Sequence, residues 1–141
     1  MIRRYEENDL SDLLDVWYAA AQIAHLFLDE AFFAQERKDI TEIYLPNAET
    51  WVYERNAGVV AFIALLGNEV GGIFVNPERQ RQGIGRALLD HARELRDRLE
   101  AEVFKENALG RAFYDKYGFK ILNEHIHEGT DHEVLRMGLE C

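Results

Sequence analysis

The N-terminal third of the chain contains a short apolar stretch followed by two longer amphipathic ones. Residues 2–5 predict a first β-strand. From Asn8 or Asp9, either of which can cap a helix, apolar residues recur at helical spacing. A second helical stretch covers residues 30–44 and ends near Pro46. The apolar stripe of the first helix consists of Leu10, Leu13, Leu14, Trp17, Ala21 and Ala24.

The period of the hydrophobic pattern then changes from helical to strand-like. Residues 51–53, 59–66 and 69–75 are rich in β-branched and aromatic side chains. Turn-forming residues at 56–58 and 67–68 separate these three runs. The pattern predicts a three-stranded meander.

Beyond the meander, helical and strand-like runs alternate. A polar, arginine-rich loop precedes an amphipathic helix that includes Ile84, Leu88 and Leu95, and residues 101–104 form the next strand. Another helix covers residues 107–117, and Gly118 is its expected stop.

The last segment predicts a β-hairpin. Residues 119–127 and 132–139 flank the turn-forming residues 128–131. The complete order is β-α-α-β-β-β-α-β-α-β-β, which indicates a mixed α/β sheet. The strand–helix–strand unit over residues 69–104 should cross over with the right hand.

The composition favours one domain over residues 1–141, with 48% hydrophobic and 30% charged residues. No apolar run reaches the roughly 20 residues of a membrane span, and no signal-peptide core follows Met1. The single cysteine, Cys141, has no partner in the chain, so we expect no disulfide and a cytoplasmic location.

The net charge of −10 narrows the choice of partners. An acidic surface repels nucleic-acid phosphates and anionic membranes, so we expect neither as a partner. It suits a cationic acceptor such as a lysine-bearing protein or a polyamine, although acidity also serves solubility alone.

The sharpest chemical signal is a glycine-containing loop between a predicted strand and a predicted helix. Gly83 and Gly85 lie where the helix begins, and Arg79, Arg81 and Arg86 make the stretch locally cationic. Unpaired N–H groups and the helix dipole favour anions there, and glycine lets the backbone approach a diphosphate closely. The loop predicts a phosphate site, the alternative being a solvated basic turn.

Two common phosphate-binding motifs do not fit this loop. A P-loop requires lysine and then serine or threonine after the second glycine, where this chain has Arg86 and Ala87. A dinucleotide-binding fingerprint requires a third glycine at the position of Leu88. These departures disfavour a nucleotide-binding module.

The loop instead resembles that of the GNAT superfamily of N-acetyltransferases, whose pattern Gln80, Gly83 and Gly85 match. Residues 102–119 resemble a second GNAT segment, in which a strand leads to an asparagine and the next helix carries Ala-x-x-Phe-Tyr and closes with Tyr-Gly-Phe. The second segment follows the first at the distance seen in that family.

The resemblance implies both a fold and a cofactor. The fold is a mostly antiparallel sheet with one parallel, splayed strand pair, flanked by about four helices. The co-substrate is acetyl-CoA without a metal, and its pantetheine arm fills the gap between strands 69–75 and 101–104. The residues so assigned to the cofactor are Ile73, Phe74, Val75, Arg81, Gln82, Gly83, Ile84, Gly85, Arg86 and Asn107.

The N-terminal half is similar to a small bacterial GNAT group that includes protein lysine acetyltransferases. The similarity rests on Trp17, residues 25–28 and residues 44–46. It suggests His25 and Phe27 as acceptor-site residues, although a histidine beside apolar neighbours is often only a packed helix residue. Protein lysines, protein N-termini and small amines all remain candidate acceptors.

The resemblance also assigns roles in the chemistry. Tyr114 matches the tyrosine beside the CoA sulfur, and a phenol with a pKa of about 10 can protonate the departing thiolate. An acceptor lysine has a pKa of about 10.4, so a carboxylate, often through water, should help to remove its proton. Glu102 and Glu69 occupy the base positions of two GNAT branches, and we expect Glu102 to act as the base.

A second class of function stays open, a non-catalytic acyl-CoA sensor or partner-binding module on the same fold. Tyr114 together with an available carboxylate favours the enzyme. His125, His127 and His132 have neither nearby cysteines nor an HExxH spacing, so we expect no metal site. We expect a monomer or a homodimer.

Overall fold

Seven strands form the single sheet that organises the molecule. The computed structural model describes residues 1–141. The strands are β1 (Ile2–Arg4), β2 (Glu49–Arg55), β3 (Gly58–Leu66), β4 (Glu69–Val75), β5 (Arg98–Phe104), β6 (Lys120–Ile126) and β7 (Glu133–Glu140). Their order in the sheet is β1-β2-β3-β4-β5-β7-β6, and only β4 and β5 are parallel neighbours. The predicted mixed α/β fold with one parallel pair is confirmed.

Helices cover both faces of this sheet. They are α1 (Leu10–Ala24), α2 (Glu30–Asp39), α3 (Leu45–Asn47), α4 (Ile84–Leu95) and α5 (Ala108–Tyr117). A π-helical turn, Ile40–Tyr44, joins α2 to α3, so these elements form one helical segment, as the sequence predicted. Pro46 follows the π-helical turn and has no N–H to continue its hydrogen bonds, and the helical segment ends one residue later, at Asn47. None of the helices combines the length and the apolar character that crossing a membrane requires.

The start of α1 differs from the prediction that Asn8 or Asp9 caps it. Neither position caps α1 through a side-chain hydrogen bond. The Asp9 carboxylate instead accepts a hydrogen bond of 2.8 Å from the backbone N–H of Glu6 and pairs with Arg3 at 2.8 Å. Asp9 is buried, so the Arg3 guanidinium on β1 compensates a charge that would otherwise be costly.

Strand β3 is buried on both faces because it separates two cores. Ile63 and Leu65 belong to the core formed with α4 and α5, whereas Phe62 belongs to the core formed with α1 and α2. This double burial explains the unbroken apolar run of the strand.

The parallel pair β4 and β5 is joined only at its beginning. Glu69 pairs with Glu100 and Val70 with Ala101. Past these positions β4 remains bonded to β3, and β5 remains bonded to β7 through Phe104. The two strands therefore diverge and leave a gap in the sheet, so the predicted splay is confirmed.

Helix α5 follows β5 directly and so begins next to this gap. Local signals fix both of its ends. The Asn107 side chain accepts a hydrogen bond of 2.9 Å from the backbone N–H of Gly110, and a Cβ on Gly110 would lie 2.5 Å from the Asn107 amide nitrogen. Gly118 ends the helix with a φ of 122°, which glycine tolerates readily. Both ends agree with the sequence prediction.

Candidate active site

The gap between β4 and β5 opens into a cleft of about 1200 Å³. One wall comes from β4, α4 and α5, and the other comes from α1, α2 and the π-helical turn. This volume exceeds that of most small-molecule pockets, which suits a long ligand.

Gly83 shapes one end of the cleft. It is the N-cap of α4 and has a φ of 79°, a conformation that other residues rarely adopt. A Cβ at this position would meet no atom within 4 Å, so the space beside the turn is open. The first N–H groups of α4 lack partners within the helix, and residues 83–86 line the cleft. The turn thus presents the positive end of α4 to the cavity, an arrangement that binds phosphates.

Gly85 has an additional requirement that the sequence analysis did not identify. A Cβ there would lie 3.1 Å from the Phe113 ring of α5. Glycine therefore favours the close packing of α4 on α5, apart from any ligand. The contact joins two helices far apart in sequence, so no local pattern reveals it.

Four cationic side chains line the cleft. Arg81 and Arg86 line it, and so do Arg93 and Lys116, which the sequence analysis missed. The structure does not bring the Gln82 side chain into the cleft, because its Oε1 accepts a 2.7 Å hydrogen bond from Arg55. In an acidic chain this local positive charge favours an anionic ligand.

The open edge of β4 forms the floor of the gap. Ile73, Phe74 and Val75 all line the cleft, as predicted for cofactor contacts. They pair with β3 on one side and have no strand partner on the side facing β5. An unpaired strand edge offers backbone donors and acceptors to an extended ligand that carries amides.

Tyr114 lies on α5 and lines the cleft. Its ring packs against Phe113 and Phe119 at centroid distances of 5.5 and 5.0 Å. Burial raises the Tyr114 pKa well above its usual value, and no hydrogen-bond partner contributes to the shift. The hydroxyl is therefore protonated at neutral pH and can donate a hydrogen bond to an atom in the cleft. Asn107 also lines the cleft, but its Oδ1 is occupied as the cap of α5.

Both candidate bases line the cleft and share one arginine partner. Glu69 Oε1 lies 3.3 Å from Arg136 Nη2, and Glu102 Oε1 lies 3.6 Å from Arg136 Nη1. Glu102 also approaches His125 Nε2 at 3.3 Å. One guanidinium thus contacts both carboxylates, which the separate strand patterns could not reveal.

The two predicted acceptor residues differ in their access to the cleft. His25 lines it and packs edge-on against Phe104 at a centroid distance of 5.1 Å. Burial lowers the His25 pKa to about 4, so the imidazole is neutral at physiological pH. Phe27 packs against Phe104 and His132 at 5.4 and 5.0 Å and does not line the cleft.

Several residues on the wall formed by α1, α2 and the π-helical turn line the cleft without a site role in the sequence analysis. Phe32 and Glu36 were not identified at all, and Trp17 and Tyr44 were noted only for the resemblance they carry. A usable signal was present, because Phe32, Glu36 and Ile40 follow one another at intervals of four residues. Glu36 interrupts an otherwise apolar helical face, which is the position where a functional acid stands out.

The three C-terminal histidines have separate partners. His125 approaches Glu102, His132 Nδ1 lies 3.4 Å from Glu106, and His127 accepts a hydrogen bond from the backbone N–H of Gly129. The structure contains no group of three or more His, Cys, Asp or Glu side chains that could hold a metal ion.

A cleft that offers an open strand edge to amides and a cationic helix start to phosphates fits an acyl-CoA-dependent transferase. A family model described as an acetyltransferase (GNAT) domain matches residues 46–121, more than half of the chain. The chain belongs to this family, and it is an acetyl-CoA-dependent N-acetyltransferase.

Individual relatives agree with this assignment. The chain is similar to peptidyl-lysine N-acetyltransferase YjaB of Escherichia coli, at 32% identity over 85% of this chain and 82% of that protein. It is 28% identical to peptidyl-lysine N-acetyltransferase YiaC of Escherichia coli, over 87% of this chain and 85% of that protein. The solution structure of apo YjaB from Escherichia coli superimposes with a TM-score of 0.86 at 26% identity, covering 98% of this chain and 95% of YjaB.

Proposed function

We propose that this enzyme acetylates lysine side chains of a protein or peptide. The names of the relatives YjaB and YiaC, both peptidyl-lysine N-acetyltransferases, support this acceptor class. The net charge of −10 also supports it, because an acidic protein attracts lysine-bearing surfaces. Protein N-termini and small amines are the competing acceptors in the test below.

In this proposal the cofactor binds along the length of the cleft. Arg81, Arg86 and the backbone N–H groups of residues 83–85 hold the diphosphate. The pantetheine arm lies along the open edge of residues 73–75, and the free amide nitrogen of Asn107 contacts the arm. Gln82 contributes through its backbone alone, since its side chain is bound to Arg55.

The acetyl transfer is a direct attack within a ternary complex. Glu102 first takes one proton from the acceptor ammonium, and the resulting neutral nitrogen forms a bond to the thioester carbonyl carbon while a backbone N–H of β4 stabilises the oxyanion. The C–S bond then breaks, and the Tyr114 hydroxyl gives its proton to the departing sulfur. The bonded nitrogen loses its second proton to solvent, Glu102 releases its proton, and solvent returns a proton to Tyr114. The products are an acetylated amine and CoA.

Glu102 is the preferred base, with Glu69 as the alternative. Both carboxylates line the cleft, but Glu102 is also next to His125, whose side chain is 43% exposed. In this proposal His125 accepts the abstracted proton from Glu102 and passes it to solvent. Glu69 contacts Arg136, is itself 39% exposed, and has no histidine beside it.

The location of Tyr114 is the observation that carries the catalytic part of this proposal. Its hydroxyl is protonated, free of partners in the protein, and located in the same cleft as the strand gap. A sensor that only binds acyl-CoA needs no such donor. We further propose that residues 1–141 act as one domain, as a monomer or homodimer, in the cytoplasm, whose reducing conditions suit the exposed, unpaired Cys141.

The test is a release assay for free CoA thiol with acetyl-CoA and a panel of acceptors. The panel contains a lysine peptide blocked at both ends, a peptide with only a free N-terminus, and a polyamine. We expect the blocked lysine peptide to show the highest kcat/KM, with its side chain acetylated. Preferential turnover of either other acceptor would overturn the lysine assignment, and no turnover of any amine would overturn catalysis.

A further inference from the structure

A small side cavity of about 40 Å³ adjoins the cleft on the wall formed by α1 and α2. We call it the Glu36 pocket, since Glu36 is its only carboxylate. Its walls include the aromatic side chains of Trp17, Phe32, Phe74 and Phe104, together with His25. The volume is close to that of a single small group, because one water molecule occupies about 30 Å³ in the liquid.

The Glu36 carboxylate has no cationic partner in the protein. Burial raises its pKa, and the nearby negative charge of Asp39 raises it further. By contrast, Glu69 and Glu102 both contact the Arg136 guanidinium. A partly buried carboxylate without a cation is costly, so such a group is a candidate for binding one.

The remaining walls suit the same kind of occupant. Aromatic rings attract cations through their electron-rich faces, and the pocket contains several. His25 does not supply a positive charge, because burial lowers its pKa to about 4. Phe74 belongs both to the Glu36 pocket and to the open edge of β4, so an occupant lies beside the expected path of the cofactor.

We propose that the Glu36 pocket recognises the acceptor as its ammonium ion, with the Glu36 carboxylate as hydrogen-bond acceptor and the aromatic walls as cation–π partners. This inference rests on the proposed lysine acetylation and assigns a specificity-determining residue to it. The pocket selects positively charged side chains on arrival, before the nitrogen is deprotonated for attack. A neutral side chain of the same length forms no ion pair with the carboxylate, so it gains no affinity from Glu36.

The test compares Glu36→Gln with Glu42→Gln, an equivalent change at an exposed residue of the same helical segment that does not line the cleft. Binding is measured to the enzyme saturated with desulfo-CoA, which cannot react, using a blocked lysine peptide and its norleucine counterpart. For Glu36→Gln we expect lysine-peptide affinity to fall about 10- to 100-fold, as for a lost charge-assisted hydrogen bond. We expect unchanged norleucine-peptide affinity and full lysine-peptide binding in Glu42→Gln.

Steady-state kinetics separate binding from chemistry. In Glu36→Gln the KM for the lysine peptide should rise by the same factor, while kcat and acetyl-CoA affinity stay within a few-fold of wild type. Glu36→Asp retains the charge, so its KM for the lysine peptide should lie between those of wild type and Glu36→Gln. A lower kcat with unchanged KM and peptide affinity would mean that Glu36 acts in the chemistry, and the binding role would be overturned.

Failure of this inference is distinguishable from failure of the proposed function. If wild type acetylates the lysine peptide but Glu36→Gln matches Glu42→Gln throughout, only the Glu36 pocket is refuted. If wild type acetylates no lysine, the proposed function itself is refuted. If Glu36→Gln does not fold, Glu36→Asp provides the test. It must lower the affinity for the lysine peptide more than the affinity for the norleucine peptide. Equal effects on the two peptides would overturn the inference.

Discussion

Glu102 and Arg136 occupy paired positions on β5 and β7, with Glu102 Oε1 lying 3.6 Å from Arg136 Nη1. The same guanidinium reaches Glu69 at 3.3 Å and Glu100 at 2.8 Å. One arginine therefore connects both candidate bases with a third carboxylate, Glu100, that does not line the cleft. This arrangement supplies a matched set of three glutamates, all bound to the same cation, for assigning the base.

Glu102→Gln is expected to lower kcat about 100-fold or more at pH 7, the usual range for loss of a general base. The loss should be smaller at pH 9, because more of an amine with a pKa of about 10.4 is already neutral there. Glu69→Gln should have a smaller effect, and Glu100→Gln should stay close to wild type. The measurement is kcat against pH with the best acceptor, and a larger loss for Glu69→Gln would transfer the role to Glu69.

Gly83→Glu is expected to abolish measurable CoA binding while the protein remains folded. The side chain would point a negative charge into the open space beside the start of α4, where the diphosphate is expected. Gly67→Glu is the matched control, because Gly67 also has a positive φ and free space around it but does not line the cleft. Both variants should lose about 1–2 kcal/mol of stability through backbone strain.

Calorimetric titration with CoA, together with thermal unfolding, separates the two effects. Normal CoA affinity in a folded Gly83→Glu variant would refute the assignment of the turn to the diphosphate. Equal loss of CoA binding in Gly67→Glu would show instead that strain or added charge acts at a distance.

His25 is expected to make folding stability depend on pH. Its pKa is about 4 in the folded protein and about 6.5 when unfolded. Below pH 6.5 the unfolded chain takes up a proton that the folded protein does not. The contribution of His25 to the free energy of unfolding is therefore fully present only above that pH. As the pH falls from 6.5 toward 4, the free energy of unfolding should decrease by about 2–3 kcal/mol from this residue.

Denaturant unfolding gives the free energy of unfolding at pH 7 and at pH 4.5. The contribution of His25 is the decrease between these pH values in wild type minus the decrease in His25→Phe. The variant keeps an aromatic ring against Phe104 and should lose stability less steeply on acidification. Phe33→Leu, which alters a buried aromatic side chain and no titratable group, serves as the control and should keep the wild-type pH dependence. Identical slopes for wild type and His25→Phe would contradict the buried, neutral state of His25.

Local sequence signals accounted for much of the fold. Asn107 and Gly118 mark the ends of α5 through capping chemistry that depends only on nearby residues. The apolar run of residues 59–66 indicated strand β3, whereas its burial on both faces is seen only in the structure. The strand gap and the cofactor came from family resemblance rather than from periodicity, because the separation of β4 and β5 depends on contacts between distant segments.

The remaining features depend on how those distant segments meet. The shared contact of Glu69 and Glu102 with Arg136 exists only because β7 pairs with β5. The packing requirement at Gly85 depends on the position of Phe113 on a later helix. Glu36 was detectable in principle as a lone acid on an apolar helical face, but its lack of a partner is a property of the folded protein.

Tyr114→Phe provides the most direct test of the account, because it removes one hydroxyl and keeps the packed ring. Loss of general acid catalysis should reduce turnover about 10²–10⁴-fold. Acetyl-CoA affinity should change little, since the helix start and the strand edge provide most of the binding, and stability should change little because the hydroxyl has no partner in the protein. Tyr18→Phe, whose hydroxyl bonds Glu30 away from the cleft, is the control. Turnover and calorimetric acetyl-CoA affinity are measured on the same preparation of the variant. The predicted result is strongly reduced turnover with near-normal affinity, and turnover within a few-fold of wild type would contradict the mechanism.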